Sequence, residues 1–140
     1  MFPNRETRSE LFSLTIVFHS AVLIFFYRVV RNLNPIVLQP HVSHVIDRLL
    51  SFEEKKNTHN FPNAASCWPG FIAGSEALSE EQRDQISGWL LRSGQSSGMR
   101  HFDAARDLMM QVWKQRDESG DKYTSWVDIM RDNDIPLVLT

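Results

Sequence analysis

Cys67, His41, His44 and His59 are the residues whose types suggest chemistry most directly. Two histidines on one side of a helix, closed by His59 and Cys67, would make a four-ligand set of the zinc kind. With five histidines in the chain, however, a pair at the spacing of His41 and His44 arises from composition alone, and surface or cap histidines are the simpler reading. Cys67 with a histidine would pair a nucleophile with a base. No elbow, oxyanion donor or third orienting residue surrounds it, so it reads as a small, half-buried side chain beside Trp68. As the single cysteine it closes no internal disulfide, which suits a reducing compartment. Glu80 with Glu81, and Asp117 with Glu118, sit at a helix start and a helix end, where acids are charge patterning and not a general acid and base. Gly70 and Gly74 lack the lysine and hydroxyl pair of a phosphate loop. Trp89, Trp113 and Trp126 fall on helical apolar faces, where packing is the common role. No catalytic residue, metal or cofactor is expected, and enzymatic activity is not.

The elements that would position these residues read as helices throughout. Ser9 is placed to cap a helix that starts at Glu10 and runs to the Asn34–Pro35 break. From Leu11 to Tyr27 its only polar side chains are Ser13, Thr15, His19 and Ser20. That stretch sits at the short edge of the roughly 20 apolar residues a bilayer crossing needs. A central histidine and the absence of flanking tryptophan favour a helix buried on most faces of a bundle, leaving a membrane-anchored protein as the alternative. Pro40 opens a second helix with Val42, Val45, Ile46, Leu49 and Leu50 on one face, and Asn57 to Asn63 reads as a loop. In AASCWPGFIAGSEAL, the small residues Ala73, Gly74 and Ala77 would let another helix approach closely. Ser79 and Gln82 form a capping box at the start of a fourth helix, expected to stop at Gly94. A fifth helix carries Met99, Phe102, Ala105, Leu108, Met109, Val112 and Trp113 and breaks at Ser119 and Gly120. A short sixth holds Trp126, Ile129 and Met130, before an apolar tail, Ile135 to Leu139, expected against the core.

The stretch CWPGFIAGSEALSEEQRDQISGWL resembles a signature of the helical domain that follows the zinc cluster in fungal transcription factors. Trp68, Pro69, Phe71, Ile72, Ala73, Gly74, Glu76, Ala77 and Leu78 match it in place. Val112, Trp113, Arg116 and Asp117 look like the family's Val-Trp-x-x-Arg-Asp turn, and Trp126, Met130 and the terminal IPLVLT like its closing segment. Upstream, HSAVLIFFYRVV is similar to an earlier helix of the same domain, so the likeness covers nearly the whole chain. It is nearest to the arginine-metabolism-regulator type. The resemblance implies an all-α regulatory region, nuclear residence and control of RNA polymerase II transcription through a separate DNA-binding segment.

The expectation is therefore one helical regulatory domain over residues 1–140, an irregular bundle of about six helices forming the C-terminal part of a larger domain. Its motif residues Trp68, Pro69, Gly74, Glu76, Leu78, Trp113, Arg116, Asp117 and Trp126 are fold determinants: Pro69 and Gly74 shape helix packing, and Arg116 with Asp117 ties a helix end to a neighbour. With one cysteine the chain carries no zinc cluster of its own, and 15 basic against 17 acidic side chains provide no field for phosphates, so no direct DNA binding is expected. Partners would be proteins of the transcription machinery or a second copy. A first helix lacking its packing partners would be partly exposed.

Overall fold

A computed structural model of the chain describes residues 5–59 and 66–133. Helices α1 (Arg5–Phe25), α2 (Gln39–His59), α3 (Trp68–Ser75), α4 (Glu80–Ser97), α5 (Arg100–Ser119) and α6 (Trp126–Asn133) make an all-α array with no strand among the described residues. A π-helical turn, Phe26–Val30, extends α1, and a 3-10 turn, Pro35–Leu38, leads into α2.

Several boundaries differ from the sequence reading, each for a local reason. Ser9 lies inside α1 and does not cap it, because no glycine or proline interrupts residues 5–25. Pro40 falls in the first turn of α2, and the 3-10 turn before that helix is capped by Asn34, whose side-chain oxygen accepts from the Ile36 amide at 3.1 Å. Asn57, Thr58 and His59 continue α2 where a loop was expected, and the rest of that loop lies outside the described residues. So does the tail from Ile135 to Leu139.

Helix α4 passes through Gly94 and ends at Gly98, whose φ of 71° is the left-handed conformation that suits a C-terminal glycine. Gly94 has a packing role instead. A Cβ there would lie 3.2 Å from the Phe102 Cβ, so the position lets α5 close on α4. The Ser79 cap forms, its oxygen accepting from the Gln82 amide at 3.1 Å. The reciprocal half of the capping box does not: the Gln82 side-chain amide donates to Ser43 on α2, joining two helices.

The core is one cluster contributed by all six helices, with Ile24, Val42, Ile46, Leu49, Phe71, Ile72, Ile86, Leu90, Phe102, Leu108 and Met109 buried within it. Helix α3 sits at its middle; from Pro69 to Ser75 every residue is buried. Two of its glycines set the spacing of its neighbours. A Cβ on Gly70 would come within 2.6 Å of the Trp89 ring, and one on Gly74 would strike the Met109 sulfur and approach Ile86 at 3.1 Å. Cys67, immediately before α3, is wholly buried, not half-buried as the sequence suggested.

Because the Trp89 ring is rigid and the Met109 tip is not, Gly70→Ala is expected to cost more stability than Gly74→Ala, with overpacking of about 1–3 kcal/mol at Gly70. Gly74→Leu is expected to exceed both. Urea unfolding of the three variants orders them; an unaffected Gly74→Leu protein would remove the close-packing account of α3.

Candidate functional site

Among the described residues, no three His, Cys, Asp or Glu side chains gather where a metal ion would be held. His41 and His44 lie near the start of α2. Burial pushes the Cys67 thiol up to about 11, against a lowering backbone hydrogen bond, so the thiolate a nucleophile needs is scarce at neutral pH.

The concentrated chemistry of the interior is elsewhere. Glu76 caps the C-terminus of α3 and is 2% exposed; Arg28, in the π turn after α1, and Arg116, in the last turn of α5, are 4% and 5% exposed. Arg28 Nε donates to Glu76 Oε2 at 2.7 Å, and Arg116 Nη2 donates to the same oxygen at 3.0 Å. Arg28 also reaches the Asn32 side chain at 3.3 Å and the carbonyls of Leu33 and Tyr123 at 3.1 and 2.9 Å. Arg116 Nε donates to the Thr124 carbonyl at 2.7 Å. The Gln39 amide bridges the Glu76 and Pro35 carbonyls at 2.8 and 2.9 Å, and the Arg28 guanidinium lies 5.9 Å from the centre of the Tyr123 ring. Burial holds the Arg116 guanidinium below its ordinary value while Glu76 opposes the shift. One carboxylate thus fastens the end of α1, the end of α3, the end of α5 and the loop before α6.

Around this cluster the other motif residues divide by role. Trp113 donates its indole N–H to the Gly74 carbonyl at 2.8 Å, tying α5 to α3. Asp117 is exposed and accepts from Arg83 at 3.0 and 3.2 Å; Arg83 also donates to the Ala77 carbonyl and lies over the Trp113 ring at 5.3 Å. Pro69 is buried in the first turn of α3 and Leu78 is half-buried in the turn before α4. Trp68 stacks on Phe18 at 6.3 Å, and Trp126 packs against Phe25 and Phe71. Glu76 and Arg116 therefore meet, whereas Asp117 faces a different partner. Arg28, Gln39 and Arg83 escaped the sequence reading. A lone arginine inside the apolar run from Ala21 to Val30 was the available signal, since a cation there needs a buried partner.

A cleft of about 330 Å³ opens beside Arg28, lined also by Asn32, Tyr123, Ser125, Asp128 and Arg131. Its hydroxyl and carboxylate pair, Ser125 Oγ donating to Asp128 Oδ2 at 3.2 Å, is a capping box at the start of α6, with the Ser125 amide donating to Asp128 Oδ2 at 3.1 Å and the Asp128 amide to Ser125 Oγ at 3.4 Å. Among the described residues no helix is long and apolar enough to cross a membrane, and α1 is not buried on most faces but partly exposed, as expected of a first helix lacking packing partners. The outer side of α1 and its π turn leaves Phe12, Phe18, Val22, Phe26, Val29 and Val30 exposed.

The family model described as the fungal specific transcription factor domain matches residues 2–140. The chain belongs to that family. Its sequence is 29% identical over 137 residues to Arginine metabolism regulation protein II of Saccharomyces cerevisiae, a match covering 96% of this chain and 15% of that relative. No solved structure matches the chain.

Removing Glu76 leaves two guanidinium groups buried without their counter-charge, and Glu76→Ala is expected to cost about 3–5 kcal/mol. In a background of Arg28→Met and Arg116→Met the same substitution should cost far less. A double-mutant cycle by urea unfolding that finds additive effects would dissolve the network into independent contacts. Cys67 makes a separate prediction. Its folded-state value lies above the ordinary 9.0, so the unfolded chain loses its proton first as pH rises. Stability is then lost between pH 9 and about 11, by at most about 1.4 kcal/mol per pH unit. Cys67→Ala should flatten that alkaline slope relative to the native chain.

Proposed function

We propose that this chain is a helical regulatory domain of a fungal zinc-cluster type transcription factor, that it works in the nucleus, and that it acts by binding proteins while a separate segment contacts DNA. The observation that carries the reading is the family match across residues 2–140. Three features of the molecule support it. The ionic cluster of Glu76, Arg28 and Arg116 is buried and directed at the loop carbonyls of Leu33, Tyr123 and Thr124, with Arg116 Nη1 alone left without a partner, which suits a fold determinant and not a reacting centre. The balance of 15 basic and 17 acidic side chains gives no phosphate-binding field. The surface offers an apolar helix face with no exposed Lys, Arg, Asp or Glu among its described side chains, of the sort that protein partners cover.

On this reading Trp68, Pro69, Gly74, Glu76, Leu78, Trp113, Arg116, Asp117 and Trp126 act by shaping the domain. The chain spans 15% of the length of the yeast relative, whose name ascribes regulation of arginine metabolism to that protein. We extend to this chain the regulatory role and no particular target.

The test is transplantation. Fused to an unrelated DNA-binding domain, the chain is expected to change reporter transcription several-fold over that domain alone, while a Glu76→Ala fusion, with its fold loosened, loses the effect. In parallel, duplex DNA at low salt should leave the isolated chain unbound by fluorescence anisotropy. Reporter output identical to the bare DNA-binding domain, or tight duplex binding by the chain, overturns the proposal.

A further inference from the structure

We infer that the outer face of α1 is a self-association surface, on which a second copy of this chain packs its own α1 in antiparallel register about Val22. The face has three properties that together choose this occupant. It is apolar along its length: Phe12, Phe18, Val22, Phe26, Val29 and Val30 are 40–67% exposed, and among the described exposed side chains from 12 to 30 only Thr15 and His19 are polar. No lysine, arginine, aspartate or glutamate is exposed among them, so the centre of the face imposes no charge that a second copy would have to bury.

Two phenylalanines are also placed evenly about one position of the face. Phe18 and Phe26 stand four residues to either side of Val22, so a two-fold axis at Val22 sets Phe18 against the partner's Phe26 in both directions. That is the self-complementarity an isologous interface requires. Spacings near four along a helix fit ridge-to-groove packing between two helices.

The area is adequate as well. With roughly 200 Å² for a phenylalanine and somewhat less for valine, the exposed fractions leave on the order of 500 Å² of apolar side chain on each copy. That lies at the upper end of what a monomer leaves open, and two such faces together bury about 1,000 Å², the lower bound of a specific interface. A lipid surface fits less well. Interfacial helices set a basic face against the headgroups, whereas the opposite face of α1 is packed in the core through Val17, Ala21 and Ile24.

Sedimentation equilibrium of the intact 140-residue chain without detergent tests this, together with two variants. The native chain is expected to reach a two-chain mass at micromolar to hundred-micromolar concentration. Val22→Lys, which sets two like charges at the axis, should weaken association at least about tenfold while leaving the helical circular dichroism unchanged. Val22→Cys should form an interchain disulfide under mild oxidation, and Leu91→Cys, on the exposed side of α4, should not; buried Cys67 does not compete. The cross-linking pair decides even if Val22→Lys perturbs the fold. A single-chain mass throughout, open-ended assemblies, or equal cross-linking of the two cysteine variants would each overturn the inference and assign the face to another occupant. None of these outcomes depends on the regulatory reading, which the reporter fusion tests separately.

Discussion

The fold hangs on one carboxylate. Glu76 accepts from both Arg28 and Arg116 through a single oxygen, in an interior where either guanidinium alone would be strongly disfavoured. The count of charges looks unbalanced, with two cations to one anion. The helix ends resolve this. Arg28 lies in the last turn of the π extension of α1, Glu76 caps α3, and Arg116 lies in the last turn of α5, so three helix C-termini converge on the cluster. Each C-terminus carries roughly half a negative charge on its unpaired carbonyls. The carbonyls of Leu33, Tyr123 and Thr124 receive further guanidinium donors. Arg116 is held by the carboxylate and by the Thr124 carbonyl, with its Nη1 left unpaired in the interior.

This convergence requires α3 to be small. A helix of ordinary side chains at the centre of the array would hold α4 and α5 too far away for Arg116 to reach Glu76. Gly70 accommodates the Trp89 ring and Gly74 accommodates Met109, and the buried carbonyl of Gly74 gives Trp113 its indole partner. Packing and electrostatics thus depend on the same few residues. The glycines bring α5 close, and the closeness lets Arg116 neutralise Glu76.

The sequence made much of this legible, and the remainder follows a pattern. Helix identities were readable because periodicity and cap residues are local: Ser79 at the start of α4 and Gly120 at the end of α5 act where the residues suggest. Errors arose where a residue with a strong local meaning was claimed by a distant one. Gly94 reads as a stop, but α5 lies against it and α4 continues. Gln82 reads as the second half of a capping box, but Ser43 takes its amide. Arg116 and Asp117 are adjacent and read as one tie, yet on the helix they point to Glu76 and Arg83 respectively. Arg28 was the hardest, because its partner lies 48 residues away and nothing beside it in sequence is acidic.

The two faces of α1 are linked by the same cluster. An isolated helix as apolar as this one would roll until its largest side chains were buried, and a turn of about 100° per residue offers many orientations. Arg28 removes that freedom. With its guanidinium fixed at four acceptors, the π turn has one rotational setting, and that setting directs Val17, Ala21 and Ile24 inward and Val22, Phe26 and Val30 outward. The local change of period at Phe26–Val30 is part of the same constraint, since it turns Arg28 inward while Phe26, Val29 and Val30 stay outside. The apolar outer face is consequently a property imposed by the buried ion network, held in fixed register on a rigid base. A surface held in that way presents a partner with a preformed shape and loses little conformational freedom when it is covered.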